Sequence, residues 1–592
     1  MIDLLAIAKC ILLPVAGALW LSVSGLSRKT NDFEKIVLSL GLGIAFAVIA
    51  GCISLFVGFR YVDLTTFCLL TALFIPYLAM NGLGRPRLPL IVGRRYLIPI
   101  SLSAIQLALV ALYLHTFPFF PNNDAMDIVW HVTLTNAVLH GQAVAPLTEL
   151  GSHALFAFMY SFIGGVLLES MRITVGGVEA ISVLLAYCMF FRLFRQYKSA
   201  EFATLAFALM TPAEFVYYTG IGAYANIVGD SLVILSLLLF LIALRNVSIP
   251  SVLTLAVIQG LAFISHISVL IFGGLMLGYS IFARHYGLRI RDSMLACVGF
   301  LIVPLFAIII SPTIVTRELS YISTLNYIGV QNDPVLNLTT WFANYEFLAG
   351  PMNFAVVLVA VITTVLMSRR HWETLLLSAW FILLFFAIFF GSDGSRFILL
   401  SFVPGAGLIG HFLLSLQDYV SRLIRRFTAV TRRLRVLTGA TMVCIILIMI
   451  ATGPVTRIAS ETYAIDGTAR QRQLLIYESM EWLGSNASSS AVVVSVDLQK
   501  EYRYLPTFFN RTYLGDTFGC LYYQTYFDCL DNQSSDSLLR LASVMHFNYV
   551  AASADFAETQ KYYQCEGLRS VFRNSQVVIF SVTNDSCTAA VT

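Results

Sequence analysis

The segment PNNDAMDIVWHVTLTNAVLHG (121–141) gathers ionisable side chains between two strongly hydrophobic stretches. Its asparagines and Asp124 are good helix-capping residues, so a helix is predicted to start here. In such a helix four polar residues fall at i, i+3, i+7 and i+11 and therefore share one face. They are Asp124, Asp127, His131 and Thr135. Two carboxylates and an imidazole on one face can supply a general base and a group that orients an acceptor or a metal.

A simpler interpretation is that Asp124 only caps the helix and that the other polar side chains are solvated at the membrane surface. Charged groups held in apolar surroundings are costly, however, and usually serve a function. This cost favours Asp124 and Asp127 as catalytic candidates.

Other polar residues are expected near the outer face of the membrane. Arg396, in GSDGSRF (391–397), opens a late hydrophobic segment, where a guanidinium suits a lipid phosphate through bidentate hydrogen bonds. An ordinary interfacial anchor with a snorkelling side chain is the alternative. Further candidates for binding substrate or phosphate are His131, His153, His266 and Tyr224, and for the last three packing is the favoured interpretation.

The composition identifies the class of protein. Of 592 residues, 58% are hydrophobic and only 12% are charged, and the mean hydropathy is +0.80. Soluble globular proteins carry roughly 25% charged residues, so a polytopic membrane protein is predicted. The net charge of +4 is too small to indicate nucleic-acid binding. The sequence has no GxxxxGKS/T, HExxH, CxxC or GxSxG motif, so ATP-driven transport and zinc proteolysis have no support.

About fourteen apolar runs are long enough to cross a bilayer. Lys and Arg accumulate in cytoplasmic loops, and placing the basic clusters inside puts both termini outside. The same rule splits 250–283 into two short spans that meet outside at SHIS (265–268), which puts His266 at the outer surface. The runs lie near 5–25, 36–57, 62–81, 96–117, 177–191, 199–217, 225–244, 250–265, 267–283, 293–311, 351–368, 372–390, 397–416 and 437–453.

Three segments are then outside, at about 118–176, at about 312–350, and after 455. The last reads as a small α/β domain, with a helix at 470–485, a strand at 491–497, a helix followed by a strand over 537–553, and a closing strand at 575–583. Its four cysteines favour two disulfides of undetermined pairing in an oxidising compartment. They are Cys520, Cys529, Cys565 and Cys587, and five of six N-x-S/T sequons also fall outside, at Asn337, Asn486, Asn510, Asn532 and Asn584, which predicts a glycoprotein.

Several segments, taken in order, carry a family resemblance. NNDAMDIVWHVTLTNAVLHG is similar to a D-x-x-x-H…G pattern and is followed by APLTELGSHALFAFMYSFIGG and AEFATLAFALMTPAEFVYYTGIGAYANIVGD. GSDGSRFILLSFVPGAGLIG and the α/β domain come last. Over about 96–592 this arrangement resembles the GT-C superfamily of integral-membrane glycosyltransferases, which use lipid-linked sugar donors. The WWDYG motif of oligosaccharyltransferases is missing, and so is the DE pair of protein O-mannosyltransferases.

The resemblance implies an N-terminal transmembrane module (1–95), a GT-C-like helical core (96–454) and an extracytoplasmic α/β domain (455–592). It implies sugar transfer from a polyprenyl-phosphate donor to a glycan, lipid or protein acceptor at the outer face of the plasma membrane, in the cell envelope. Asp124 or Asp127 would be the base, with Asp124 narrowly preferred because it lies closest to the turn, and Arg396 would hold the phosphate.

Members of the superfamily differ in metal use, so a divalent metal such as Mg²⁺ or Mn²⁺ stays open, with Asp127 and His131 as possible ligands. Two other functions also stay open: a transporter or flippase of lipid-linked glycans, and a non-catalytic glycan-assembly subunit. Transporter sites usually lie at the membrane midplane, whereas the polar residues here gather at one interface, which favours the enzyme.

Overall fold

The structure is a computed structural model. It describes residues 4–81, 93, 96–116, 126–141, 147, 149–164, 167–221, 224–243, 248–266, 305, 308, 357–362, 376–384, 401–427, 440–441, 443–448, 467–488, 490–496, 498, 502, 505, 509, 511–513, 547–555 and 559–583. At 4–8, 81, 110–116, 126–130, 133, 211–221, 424–427, 467–470, 496 and 512–513 the description is of the backbone.

Helices dominate the described chain, as the composition predicts. Those before the C-terminal region are α1 (Leu4–Val23), α2 (Asp32–Val57), α3 (Val62–Asn81), α4 (Leu97–Thr116), α5 (Met126–Leu139), α6 (Leu150–Ile163), α7 (Leu167–Phe194), α8 (Tyr197–Ile221), α9 (Tyr224–Ala243), α10 (Ile249–Ser265) and α11 (Phe402–Phe427). Within the described ranges, four helical segments are long and apolar enough to cross a membrane: Asp32–Val57, Phe59–Met80, Leu167–Phe194 and Tyr224–Ala243. The predicted membrane-embedded helical fold is confirmed.

The start of α2 shows how local sequence fixes an element. Asn31 and Glu34 form a reciprocal capping box, which satisfies backbone N–H groups of the first turn. Arg192, near the end of α7, donates to the Glu34 carboxylate and, at 2.7 Å, to the carbonyl oxygen of Lys29. The ion pair is largely buried and joins two clusters of basic residues that are predicted to lie inside, Arg28/Lys29/Lys35 and Arg192/Arg195/Lys198, at the same end of the helix bundle.

Glycines let several helices approach backbone to backbone. A Cβ on Gly17 of α1 would lie 1.9 Å from the carbonyl oxygen of Ser39, and one on Gly51 would lie 2.1 Å from that of Ala154. Small residues allow such contacts between membrane helices, where dispersion replaces the hydrophobic effect as the packing force. Gly51 therefore sets how closely α6 lies against α2.

Helix α10 ends at the predicted place. The helix ends at Ser265, and His266 takes an extended conformation with φ −164° and ψ 138°. The predicted break at 265–268 is thus confirmed on its N-terminal side, while the following span at 267–283 lies outside the described residues.

The start of α7 differs from the prediction. The sequence predicts a span at 177–191 after an outer loop, but the helix already begins at Leu167. The span predicted from hydropathy starts too late, because Glu169 and Arg172 are charged. In the structure Arg172 is buried and hydrogen bonds to another helix, so the charge does not end the helix.

The C-terminal elements are α12 (Gly467–Asn486), β1 (Val492–Val496), β2 (Thr512–Tyr513), β3 (Tyr549–Ser553), α13 (Thr559–Tyr562), β4 (Leu568–Arg573) and β5 (Val577–Val582). The strands form a five-stranded sheet in the order β2-β1-β3-β5-β4. Strands β2 and β3 pair parallel to β1, whereas β5 pairs antiparallel to β3 and β4. The helix predicted at 470–485 and three of these strands are confirmed, while β2 and β4 were not predicted. The helix predicted in the first part of 537–553 lies outside the described residues.

Helix α12 also marks where this region meets the bundle. Burial, together with the carboxylates of Glu481 and Glu169, raises the pKa of Tyr477. Glu169 lies at the start of α7, so α12 sits near that end, opposite the end that carries Arg192. Of the four C-terminal cysteines, Cys565 lies among the described residues and is buried; the disulfides stay a prediction.

The close contact at Gly51 gives a testable expectation. Gly51→Ala should lower the thermal unfolding midpoint in detergent, because the new methyl group meets the Ala154 backbone and must separate α2 from α6. Overpacking of this kind costs about 1–3 kcal/mol.

Gly177→Ala on α7 is the matched control. A Cβ there has no neighbour within 4 Å, and alanine is the better helix former. The midpoint of this variant should stay unchanged or rise. Equal midpoints for the two variants would show that the contact at Gly51 is not tight.

Candidate functional site

Two short helices, α5 and α6, frame the candidate site. Each has 14 residues, which gives about 21 Å of helix, too short for a bilayer core of about 30 Å. Helix α6 packs against α2, α5, α7 and α10, and most of its residues are buried. It therefore lies inside the protein.

Three ionisable side chains meet where α5 faces α6: His131, Glu149 and His153. They are 3%, 4% and 0% exposed, respectively. His131 Nδ1 lies 3.2 Å from His153 Nε2. Glu149 Oε2 lies 3.7 Å from His153 Nε2 and 3.9 Å from His131 Nδ1. The same three atoms thus form a closed, buried triangle.

Thr135 determines where the imidazole protons lie. Its hydroxyl donates to the carbonyl oxygen of His131 at 2.7 Å. A hydroxyl has one proton to donate, so Thr135 accepts at its 3.0 Å contact with His153 Nδ1. Neutral His153 therefore carries its proton on Nδ1 and offers the lone pair of Nε2 to His131 Nδ1–H.

The burial of His131 and Thr135 corrects one interpretation of the sequence. Solvated side chains at the membrane surface would be exposed, but both residues are buried. The helical spacing correctly groups them on one face of α5. That face turns toward α6, because α6 supplies hydrogen-bonding partners that lipid cannot provide.

Glu149 is a site residue that the sequence analysis missed. It immediately precedes α6, and its carbonyl oxygen accepts the backbone N–H of His153 at 3.2 Å. This first turn places Glu149 and His153 at i and i+4 on one face. The E-x-x-x-H spacing in TELGSHALF carried the signal.

An aromatic contact links the cluster to α9. The ring of Phe156 meets both His153 and Tyr224 edge-on, with centroids 6.3 Å apart in each pair. Arg172 Nε donates to the Tyr224 hydroxyl at 3.3 Å. Arg172 was missed because the sequence assigned it to an outer loop.

His266 lies beside α6, but it is buried and not exposed at a surface. Ser152 Oγ donates to the carbonyl oxygen of Ser265 at 2.9 Å. Gly229 leaves the room for the imidazole, since a Cβ there would lie 2.5 Å from the His266 Cβ. The extended chain end after α10 therefore forms part of the same interior.

The structure gathers four of the predicted site residues into one buried region: His131, His153, Tyr224 and His266. Asp127 lies one turn before His131 on α5, where the structure describes the backbone. Asp124 and Arg396 lie outside the described residues.

A second group of acids lies between α7 and α9. Glu179 and Asp230 are both buried and close enough for their charges to repel each other. Next to them Ser182 Oγ donates to Ser231 Oγ at 2.8 Å, which joins the same two helices. Carboxyl groups placed this way within membrane helices face the protein and usually serve a function or pair with one another.

The sequence matches no established family profile and no curated protein. Solved structures do match. ArnT from Cupriavidus metallidurans bound to undecaprenyl phosphate aligns with a TM-score of 0.53 and 14% identity, over 81% of this chain and 97% of ArnT. In the apo state of ArnT the TM-score is 0.50 and the identity 12%, over 82% and 98% of the two chains.

An Archaeoglobus fulgidus oligosaccharyltransferase tethered to an acceptor peptide aligns with a TM-score of 0.49 and 12% identity, over 83% of this chain and 74% of the transferase. At identities this low, the similarity shows the fold alone. The alignment with ArnT extends over nearly the whole of that GT-C glycosyltransferase. The chain therefore has the GT-C fold.

Proposed function

We propose that this protein is a membrane glycosyltransferase that moves a sugar from a polyprenyl-phosphate-linked donor to an extracytoplasmic acceptor. The GT-C fold supports this class of reaction, since ArnT has the same fold and was solved with undecaprenyl phosphate. The observation that carries the proposal is the buried His131–Glu149–His153 cluster. His131 of this cluster lies one helical turn from Asp127 on α5, a helix within the predicted outer loop at 118–176.

The chemistry requires few catalytic groups. The bond between the sugar anomeric carbon and the phosphate oxygen breaks, and the polyprenyl phosphate leaves. A bond to the acceptor oxygen forms, and a carboxylate takes the acceptor proton. We assign that role to Asp127, because it lies one helical turn from His131 on α5; Asp124 is the alternative. Arg396 is proposed to hold the phosphate.

The buried residues have a supporting role in this proposal. His153, Tyr224 and His266 are almost wholly enclosed, so they position the wall behind the substrate. His131 connects that wall to α5. Rigid placement matters because correct orientation of the reactants can supply about 7–11 kcal/mol of the barrier reduction.

The orientation in the membrane is part of the proposal. Two observations support an outer C-terminal domain: the approach of Tyr477 to Glu169 at one end of α7, and the Arg192 ion pair at the other. Basic residues favour the cytoplasmic side. The proposal also includes domain boundaries near 95 and 455, a plasma-membrane location, glycosylated sequons and the disulfides.

Sugar transfer from a labelled polyprenyl-phosphate donor tests the proposal. Purified wild type should transfer the label, and Asp127→Asn should be slower by about 10²–10⁴-fold, because the amide cannot accept the proton. Arg396→Ala should weaken donor binding. Asp63→Asn, an exposed substitution of the same type, should transfer as wild type does.

Asp124→Asn completes the series and identifies the base. A large loss with Asp124→Asn alone would move the role to that residue. If Asp124→Asn, Asp127→Asn and Arg396→Ala all transfer at the wild-type rate, the site assignment is wrong.

A transporter of lipid-linked glycans is the second candidate, and the Glu179–Asp230 pair is the observation that favours it. Acids in membrane helices often mark ion pathways or proton relays. Vesicles containing the protein and a fluorescent lipid-linked glycan separate the two functions. For the transferase, Glu179→Gln should keep sugar transfer, and no glycan should cross the membrane. Glycan movement that needs Glu179 and is indifferent to Asp127 would establish the transporter.

A further inference from the structure

We propose that His131, Glu149 and His153 form a binding site for one transition-metal ion of the Zn²⁺ class. Their three potential ligand atoms are separated by 3.2, 3.7 and 3.9 Å. The point equidistant from the corners of such a triangle lies ~2.1 Å from each atom, and Zn–N and Zn–O bonds are about 2.0–2.2 Å long. The polypeptide alone holds the three atoms at the separations that a metal requires.

Thr135 supplies the outer support that metal-binding histidines need. Such a histidine normally donates its second ring N–H to a nearby oxygen, which fixes the tautomer and the ring orientation. His153 does this through Nδ1 to the Thr135 hydroxyl, at 3.0 Å. The lone pair of His153 Nε2 therefore points into the triangle before any ion binds.

The donor set selects the kind of metal. Two imidazoles and one carboxylate suit Zn²⁺ and related transition metals, whereas Mg²⁺ prefers oxygen ligands. Three protein ligands also leave a fourth position for a water or another oxygen, as in catalytic zinc sites. With the ion bound, His131 coordinates through Nδ1 and carries its proton on Nε2.

The location of the site determines which helices a bound ion would join. His131 belongs to α5, whereas Glu149 and His153 belong to the start of α6. One ion therefore ties the two helices together and fixes the turn of α5 that bears Asp127. This positioning role rests on the proposed function, while the metal site itself does not.

Direct binding to the full-length protein tests the site. Chelator-treated protein in detergent should bind one equivalent of Zn²⁺ by titration calorimetry, and Zn²⁺ should raise its thermal unfolding midpoint. Co²⁺ should give the visible absorption of a nitrogen- and oxygen-ligated ion. None of these readouts requires sugar transfer, so an inactive transferase would leave the result standing.

Variants separate this site from adventitious surface binding. His131→Ala, His153→Ala and the isosteric Glu149→Gln should each weaken Zn²⁺ binding by more than about 100-fold, since loss even of an outer-shell partner weakens it 10- to 100-fold. His140→Ala is the control, because His140 is exposed on the same segment. Wild type that binds no Zn²⁺, or His153→Ala with wild-type affinity, would overturn the proposal and leave a hydrogen-bonded histidine pair.

Thr135 provides an independent check that preserves all three ligands. Thr135→Val removes the oxygen that accepts from His153 Nδ1 and should weaken Zn²⁺ binding by about 10- to 100-fold. Thr135→Ser keeps a hydroxyl and should bind as wild type does. Equal Zn²⁺ affinity of the valine and serine variants would show that the hydroxyl does not orient a metal ligand.

Discussion

The contact between Gly51 on α2 and the Ala154 backbone on α6 determines where the polar groups of the site lie. Without a side chain at Gly51, α6 seats deep in the bundle, where neither water nor lipid reaches most of its residues. His153, one residue before the contact, is therefore fully enclosed. A buried imidazole without hydrogen bonds is costly, so this helix position requires a polar partner on its neighbour.

That partner is α5, which explains why a polar face was retained on a short helix among apolar spans. Thr135 and His131 each contact His153. Glu149 adds a carboxylate close to both imidazoles. In a low-dielectric interior such a network is strong when its members satisfy one another and costly when one is removed. The network therefore holds α5 in one orientation, including the turn that bears Asp127.

Much of the fold could be predicted from the sequence, because hydropathy and turn chemistry act locally. The spans that became α2, α3 and α9, the break at Ser265 and the main strands of the C-terminal sheet follow from such patterns. The burial of His131 could not be predicted. Periodicity assigns residues to a face, but lipid and protein interior are both apolar, so the pattern does not show which way the face turns.

The residues missed by sequence analysis have the same explanation. Arg172 and Glu149 look like loop residues until a second helix supplies their surroundings. Arg172 is tolerated inside the protein because Tyr224 accepts its hydrogen bond. Such long-range partners leave no trace in a single sequence, apart from spacings such as that between Glu149 and His153.

Helix α7 shows how these partners set the register of the bundle. Its polar residues Arg172, Ser182 and Arg192 meet groups on α9 and α2 at successive depths. Apolar membrane helices can slide past one another at little cost, whereas each polar contact fits only one register. The register of α7 against α9 places Tyr224 beside Phe156, and so fixes the aromatic rings that pack next to His153. The charges that hydropathy treats as interruptions of a span are thus what align the spans around the site.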